Sequence, residues 1–335
     1  MPLPLLLVGA AVLAGGYGVK KGIDAKSDFN KADSLNNQAK SIFNDATSEL
    51  ESARDKAQRA LTQLGKLKFS VYETKLIPFV DTFKQIKNID FQDQKLKDEF
   101  KLAGVSGNDL RAIERSALDM QGIVTGGVTA LGAGGLAGLA AYGGVGALAS
   151  TAGGTAIAGL SGAAATNATL AWLGGGALSA GGFGMAGGAA VLGGIVAGPV
   201  LAVGGMMLAA KAEEARLNAS SNLSKARVAA EEMKTAALAT AALEKRFKEI
   251  ISVLKELDRH FEPLLAGLQR RVAAGKDYSR YSAADRTGVM MAAAMAKTIK
   301  NVLEAPLIDK DGALTAASRT VIASAKEQLA ALERA

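Results

Sequence analysis

From Met120 to Ala210 the chain carries no Asp, Glu, Lys or Arg, and this run of 91 uncharged residues limits what the whole can become. It holds 27 of the 39 glycines, and most of the remainder is Ala, Leu and Val. In water, each helical Gly costs about 1 kcal/mol relative to Ala. Inside a bilayer an unpaired backbone costs more than that, so a Gly-rich helix becomes the better choice there. One crossing takes about 20 apolar residues, so 120–210 has length for up to four spans or two long hairpins. Breaks are expected at Tyr142-Gly143-Gly144, at Thr166-Asn167 and over Ser179–Gly182, with Tyr142 and Trp172 suited to an interface.

Small residues recur at every fourth position through this run. The series are Gly122, Gly126, Ala130, Gly134, Gly138; then Gly146, Ser150, Gly154, Ala158, Gly162; then Gly176, Ala180, Gly184, Gly188; then Ala190, Gly194, Gly198, Ala202. Helices in lipid gain no hydrophobic free energy by meeting, and small faces let their backbones pack closely. The expected packing positions are Gly122, Gly126, Gly134, Gly138, Gly154, Gly162, Gly184, Gly188, Gly194 and Gly198. The other reading is a Gly/Ala-rich helical core covered by the flanking arms until a trigger releases it. The two readings are compatible as two states of one molecule.

The flanks are written differently. From Phe29 the steps alternate between three and four: Phe29, Ala32, Asn36, Ala39, Phe43, Ala46, Leu50, Ala53, Ala57, Ala60, Leu64, Leu67, Val71. A second seam runs Ala219, Asn222, Ala226, Ala229, Met233, Ala236, Thr240, Leu243, Phe247, Ile250, Leu254, Leu257, Phe261. Sustained heptads of this kind predict coiled-coil helices. An Asn in such a seam fixes register, which gives Asn36 and Asn222 that expected role; the alternative is that each faces solvent at a frayed end. Pro78 and Pro263 are expected to end or kink the two long helices, at about 77 and about 262. A helix of 50-odd residues is a stalk of roughly 80 Å.

These patterns divide the chain into 1–19, an apolar N-terminal segment; 20–119, an N-terminal helical arm; 120–210, the glycine-zipper transmembrane region; and 211–335, a C-terminal arm. Residues 79–119 read as broken helix, interrupted at Gly104 and Gly107 with a capping-type Asp109. Beyond Pro263, Gly275–Ser282 reads as a turn, 283–303 as a helix with Met290, Met291 and Met295 filling a core, and 314–332 as a final helix. The first 19 residues have no basic group before the apolar stretch, and Lys20-Lys21 follow it. That flank predicts a membrane anchor whose basic side stays in the cytosol; a buried core helix and a secretory signal are the alternatives.

Several chemistries have no residues to carry them. Cys is absent and His260 is the single His, so disulfides, thiolate nucleophiles and multi-His metal sites are excluded. Gly182-Phe183-Gly184-Met185-Ala186-Gly187 matches a dinucleotide fingerprint, but the next carboxylate is Glu213. Asp309-Lys310-Asp311-Gly312 has a calcium-loop start, yet Ser318 and Leu307 stand where carboxylates belong. Net charge is +7, spread as +2 over 20–119 and +5 over 211–335 without the aromatic interleaving of a nucleic-acid surface. Neither an enzyme nor a cofactor is expected, and nucleic acid is not an expected partner.

The order apolar start, heptad arm, Gly/Ala-rich centre, heptad arm resembles type III secretion translocators, ClyA-type α-pore-forming toxins and the apolipoprotein L group. The stretch Ala165-Thr-Asn-Ala-Thr-Leu-Ala-Trp-Leu-Gly-Gly-Gly, with the Ala-Gly-Gly-Phe-Gly-Met-Ala-Gly-Gly that follows, is similar to segments of bacterial glycine-zipper membrane proteins. It also resembles the glycine-rich region of interferon-inducible small proteins. These likenesses imply membrane association and a role in membrane damage or defence, and they carry over no catalytic residue. The expectation is therefore an all-α, self-assembling protein that inserts into a bilayer and permeabilises or remodels it. Its partners would be lipid, further copies through the heptad arms, and a protein at the distal head. Its place would be a bacterial inner membrane with the arms in the cytoplasm. The alternatives are a membrane-anchored coiled-coil scaffold or filament, and a soluble helical binding module with a Gly/Ala core.

Overall fold

The computed structural model describes residues 18–89, 94–125, 136, 139–141, 212–308 and 314–332. Of these residues 89% are helical and none lies in a strand, which makes the fold all-α. The helices are α1 (Gly18–Val71), α2 (Ile77–Phe83), α3 (Gln94–Leu102), α4 (Gly107–Val124), α5 (Ala212–Ala274), α6 (Ala283–Glu304) and α7 (Ala316–Leu332). A π-turn, Tyr72–Leu76, joins α1 to α2, and a 3-10 turn, Tyr278–Arg280, precedes α6. Among the described residues no helix is long and apolar enough to cross a membrane. The apolar segment 1–19 except its last two residues, nearly all of 120–210 beyond Thr125, and the Asp309–Gly312 turn lie outside the described residues.

The structure corrects the helix ends expected at about 77 and about 262. The α-helix ends at Val71, before Pro78, and the chain keeps a helical course through the π-turn, where the Ile77 amide donates to the Tyr72 carbonyl. Proline has no N–H and its ring presses on the carbonyl four residues back; a widened turn just ahead of Pro78 makes the room. Pro263 does not end α5, which continues to Ala274. Pro263 is exposed, while Phe261, Leu265 and Leu268 around it are buried, so packing on the opposite side carries the helix past one missing bond.

The chain folds as two compact units. The first comprises 1–49 and 199–235. Its core is built on small side chains, Ala39 and Ala226 with Leu223, flanked by the half-buried Leu35 and Ile42. Alanines let two helices approach closely but bury little area each, so the unit depends on length more than on large residues.

The second unit comprises 50–198 and 236–335 and holds the main core. Here α1 and α5 contribute Leu64, Phe247, Leu254 and Phe261, the π-turn Tyr72 and Leu76, α4 Ile113 and Met120, and α6 Ile299 and Leu303, all essentially sealed from solvent. Helix α4 packs on α2, the π-turn and α6, and α7 packs on α6. Along α5 the buried set Ile250, Ile251, Val253, Leu254 and Leu257 is broader than two residues per heptad. That width belongs to a helix surrounded by several neighbours, whereas a two-stranded seam is narrower.

Local chemistry fixes the short helices. α3 stops at a Schellman turn: Gly104 sits at φ +70°, its amide donates to Lys101, and the Val105 amide donates to Phe100. α4 and α6 each start with a capping box, Ser106 with Asp109 and Ser282 with Asp285. Asp109 is thus the third helical residue answering a Ser106 cap. The methionines of α6 divide: Met295 is buried, Met290 half-buried and Met291 exposed.

Candidate functional site

The last turns of α1 carry the least expected side chain of the molecule. Lys68 is fully buried. Helical spacing explains how it arrives there: Leu61, Leu64, Lys68 and Tyr72 lie along one stripe, and all four are buried. A strict heptad puts Leu67 inward and Lys68 in solvent. A straight α-helix drifts about 20° per heptad against that repeat, and by this point Lys68 has rotated inward while Leu67 is half-buried.

The Lys68 amine ends among backbone carbonyls. Its Nζ donates to Leu139 O at 3.3 Å, to Ala140 O at 3.1 Å and to Leu303 O at 2.8 Å. An ammonium has three N–H groups, and all three are thereby used. Two of the acceptors belong to the uncharged run and the third to the last turn of α6. Residues Leu139, Ala140 and Ala141 are helical and buried, and Leu136 is buried beside them. The Ala141 carbonyl accepts from the Leu307 amide at 2.7 Å and the Ile308 amide at 3.3 Å. One turn before Lys68, Gly65 meets the Leu136 backbone so closely that a β-carbon would fall 2.7 Å from the Leu136 carbonyl carbon.

The electrostatics follow from this burial. Removal from water pulls the Lys68 ammonium down to about 7, and the Glu304 carboxylate acts in the opposite sense. Glu304 is itself paired with Lys300 at 2.7 Å. Next along the stripe, burial pushes the Tyr72 hydroxyl well above its usual range, while its 3.0 Å bond with Ser116 favours ionisation.

A second cluster sits where α3, the 3-10 turn and α6 meet. The Arg286 guanidinium lies 5.1 Å from the Tyr278 ring centre and pairs with Glu99 at 3.4 Å. Arg271 lies 4.7 Å from the Tyr281 ring centre and pairs with Asp285 at 3.4 Å. Burial pushes the Tyr278 hydroxyl up to about 12. These pairs brace the turn between α5 and α6. Among the described residues no group of three or more His, Asp or Glu side chains is placed to hold a metal ion.

The residues singled out from sequence are distributed unevenly. Asn36 and Asn222 are brought together: Asn222 Nδ2 donates to Asn36 Oδ1 at 3.4 Å, with both side chains half-buried. Every described position of the two seams is buried or half-buried, from Ala32 to Val71 and from Ala219 to Phe261. Gly122 lies on the exposed side of α4, with nothing among the described residues beyond its own helix backbone within 4 Å of where a β-carbon would be. Gly126, Gly134, Gly138, Gly154, Gly162, Gly184, Gly188, Gly194 and Gly198 lie outside the described residues. His260 is half-buried between Glu256 at 3.5 Å and Arg259 at 3.0 Å.

Heptad spacing alone does not single out Lys68 or Gly65. The available signal was a lysine with apolar residues at i−7, i−4, i+3 and i+4, namely Leu61, Leu64, Val71 and Tyr72. Comparison with protein-family models, curated proteins and solved structures returns no match for this chain.

Proposed function

We propose that this chain is a non-enzymatic, self-assembling helical protein that inserts its uncharged run into a lipid bilayer and permeabilises or remodels it. The observation that carries this reading is the absence of any charge over residues 120–210, combined with small residues at every fourth position. The heptad arms would act as coiled-coil stalks that gather copies and concentrate the inserting segments. The basic pair Lys20-Lys21 after the apolar start supports arms on the cytoplasmic side of a bacterial inner membrane.

Liposome flotation combined with dye release tests the reading. Flotation with leakage is expected for the wild-type chain, and replacing Gly184 and Gly188 by Leu is expected to abolish leakage by blocking close helix approach. Leakage unchanged in that double variant overturns the zipper mechanism. Flotation without leakage turns the reading to a membrane-anchored scaffold.

One observation favours a second reading. Leu136 and Leu139–Ala141 are buried, and the latter three sit inside the main core, as a soluble helical module with a Gly/Ala core would require. Protein that stays monodisperse without detergent and fails to float would favour that module.

A further inference from the structure

We propose that Lys68 couples the docking of Leu136 and Leu139–Ala141 to protons, so that undocking of this head of the uncharged run takes up one proton on the Lys68 amine. The geometry gives the reason. The amine is sealed from water, and among the described residues its hydrogen-bond partners are the carbonyl oxygens of Leu139, Ala140 and Leu303, with no carboxylate bonded to it. A cation in such a place loses its hydration without gaining a counter-ion. Once these residues lift away, the same amine meets water and regains the proton affinity of a free lysine.

Among the described residues the surrounding charges are few. On α6 they are Glu304 and its partner Lys300. On α4, Asp119 acts on the neighbouring Tyr72 hydroxyl, which is bonded to Ser116. Residues 139–141 and 305–308 carry no charge at all.

The sign follows from the two proton affinities, about 7 docked against the ordinary 10.5 of lysine. Between these values the undocked state binds one more proton than the docked state. Docking therefore strengthens about tenfold for each pH unit gained above 7, and it is independent of pH below 7, where both states are charged. The amine keeps two donors when neutral, so the docked state survives loss of the proton.

The docking equilibrium stands independently of any membrane. Its consequence, that falling pH frees the uncharged run for insertion, rests on the proposed function. Hydrogen–deuterium exchange of the full chain, without lipid, tests the coupling. The readout is the protection factor, corrected for intrinsic exchange, of the amides of Leu139–Ala141, Leu307 and Ile308.

In the wild type, protection is expected to rise roughly 50-fold from pH 7 to pH 9 and to stay nearly flat from pH 5.5 to 6.5. Lys68→Met has no titrating group there, so its protection should lack that slope. Should Lys68→Met fail to fold, Glu304→Gln keeps the lysine and removes the acid that raises its proton affinity. The onset of the rise should then move to lower pH. An equal slope in Lys68→Met, no slope in the wild type, or an unmoved onset in Glu304→Gln overturns the proposal. Dye release from liposomes at pH 6.5 and pH 9 separates the two ideas. Proton-coupled exchange with no insertion at either pH removes the membrane reading and leaves the coupling intact.

Discussion

Gly65 on α1 and Leu136 in the uncharged run touch backbone to backbone: a β-carbon on Gly65 would sit 3.1 Å from the Leu136 Cα and closer still to its carbonyl. In an exposed helix Gly→Ala adds up to about 1 kcal/mol of stability. Here the neighbour is main chain, and the residues just after it are held by Lys68 and by the Leu307 amide, so it has little room to move. Gly65→Ala is therefore expected to destabilise by about 1–3 kcal/mol, read as a lower urea midpoint. Exchange should rise in Leu139–Ala141 before it rises elsewhere.

The Asn36–Asn222 pair makes an opposite kind of test. Changing either Asn alone to Leu leaves the other amide half-buried without its partner, at a cost of about 1–2 kcal/mol. Changing both to Leu removes the mismatch and adds apolar area beside Leu35 and Leu223. The double variant should be at least as stable as the wild type by urea titration. A double-mutant cycle with no coupling between the sites would show that the contact carries no energy.

Pro263 is exposed inside a continuous helix. Its ring removes a hydrogen bond and fills no cavity in the core, so Pro263→Ala should stabilise the protein by about 1–3 kcal/mol. A raised Tm with unchanged far-ultraviolet circular dichroism is the expected result. A lowered Tm would show that Pro263 stabilises α5.

The two N-terminal boxes give an acid limb to stability. Burial pushes the Asp109 carboxyl up, but bonds from the Ser106 hydroxyl and amide and from Lys297 outweigh it and hold the group below its usual range. Asp285 is likewise held low, first by the Ser282 hydroxyl and further by its backbone amide and Arg271. Groups depressed on folding stabilise above the unfolded carboxylate value and lose that contribution as pH falls through the folded one. Urea midpoints should fall as pH drops below about 4. In Asp109→Asn the fall should be shallower, from a lower plateau at neutral pH.

Legibility from sequence differs by element. The seams are readable because each side chain reports its own environment: every described seam position from Ala32 to Val71 is buried or half-buried. Helix α6 and helix α7 are bounded within two residues because Ser282 and the loop after Glu304 are local signals. The apolar residues around Lys68 hint at its burial, but its partners, the carbonyls of Leu139, Ala140 and Leu303, are announced by no local pattern. Pro263 misleads for the converse reason. Its local rule is sound, but packing of Phe261, Leu265 and Leu268 on the far side overrides it.

The Lys68 amine binds carbonyls 72 and 235 residues downstream. On a ribosome, synthesis at about 5–20 residues per second delivers Ala140 seconds before Leu303, and Leu307 and Ile308 come later still. Residues 136 and 139–141 are thus made while the Leu307 and Ile308 amides that hold the Ala141 carbonyl are still untranslated. Whatever meets residues 139–141 first, whether a bilayer or a chaperone, meets them while Lys68 and Gly65 are in place but before the Leu307 and Ile308 amides exist.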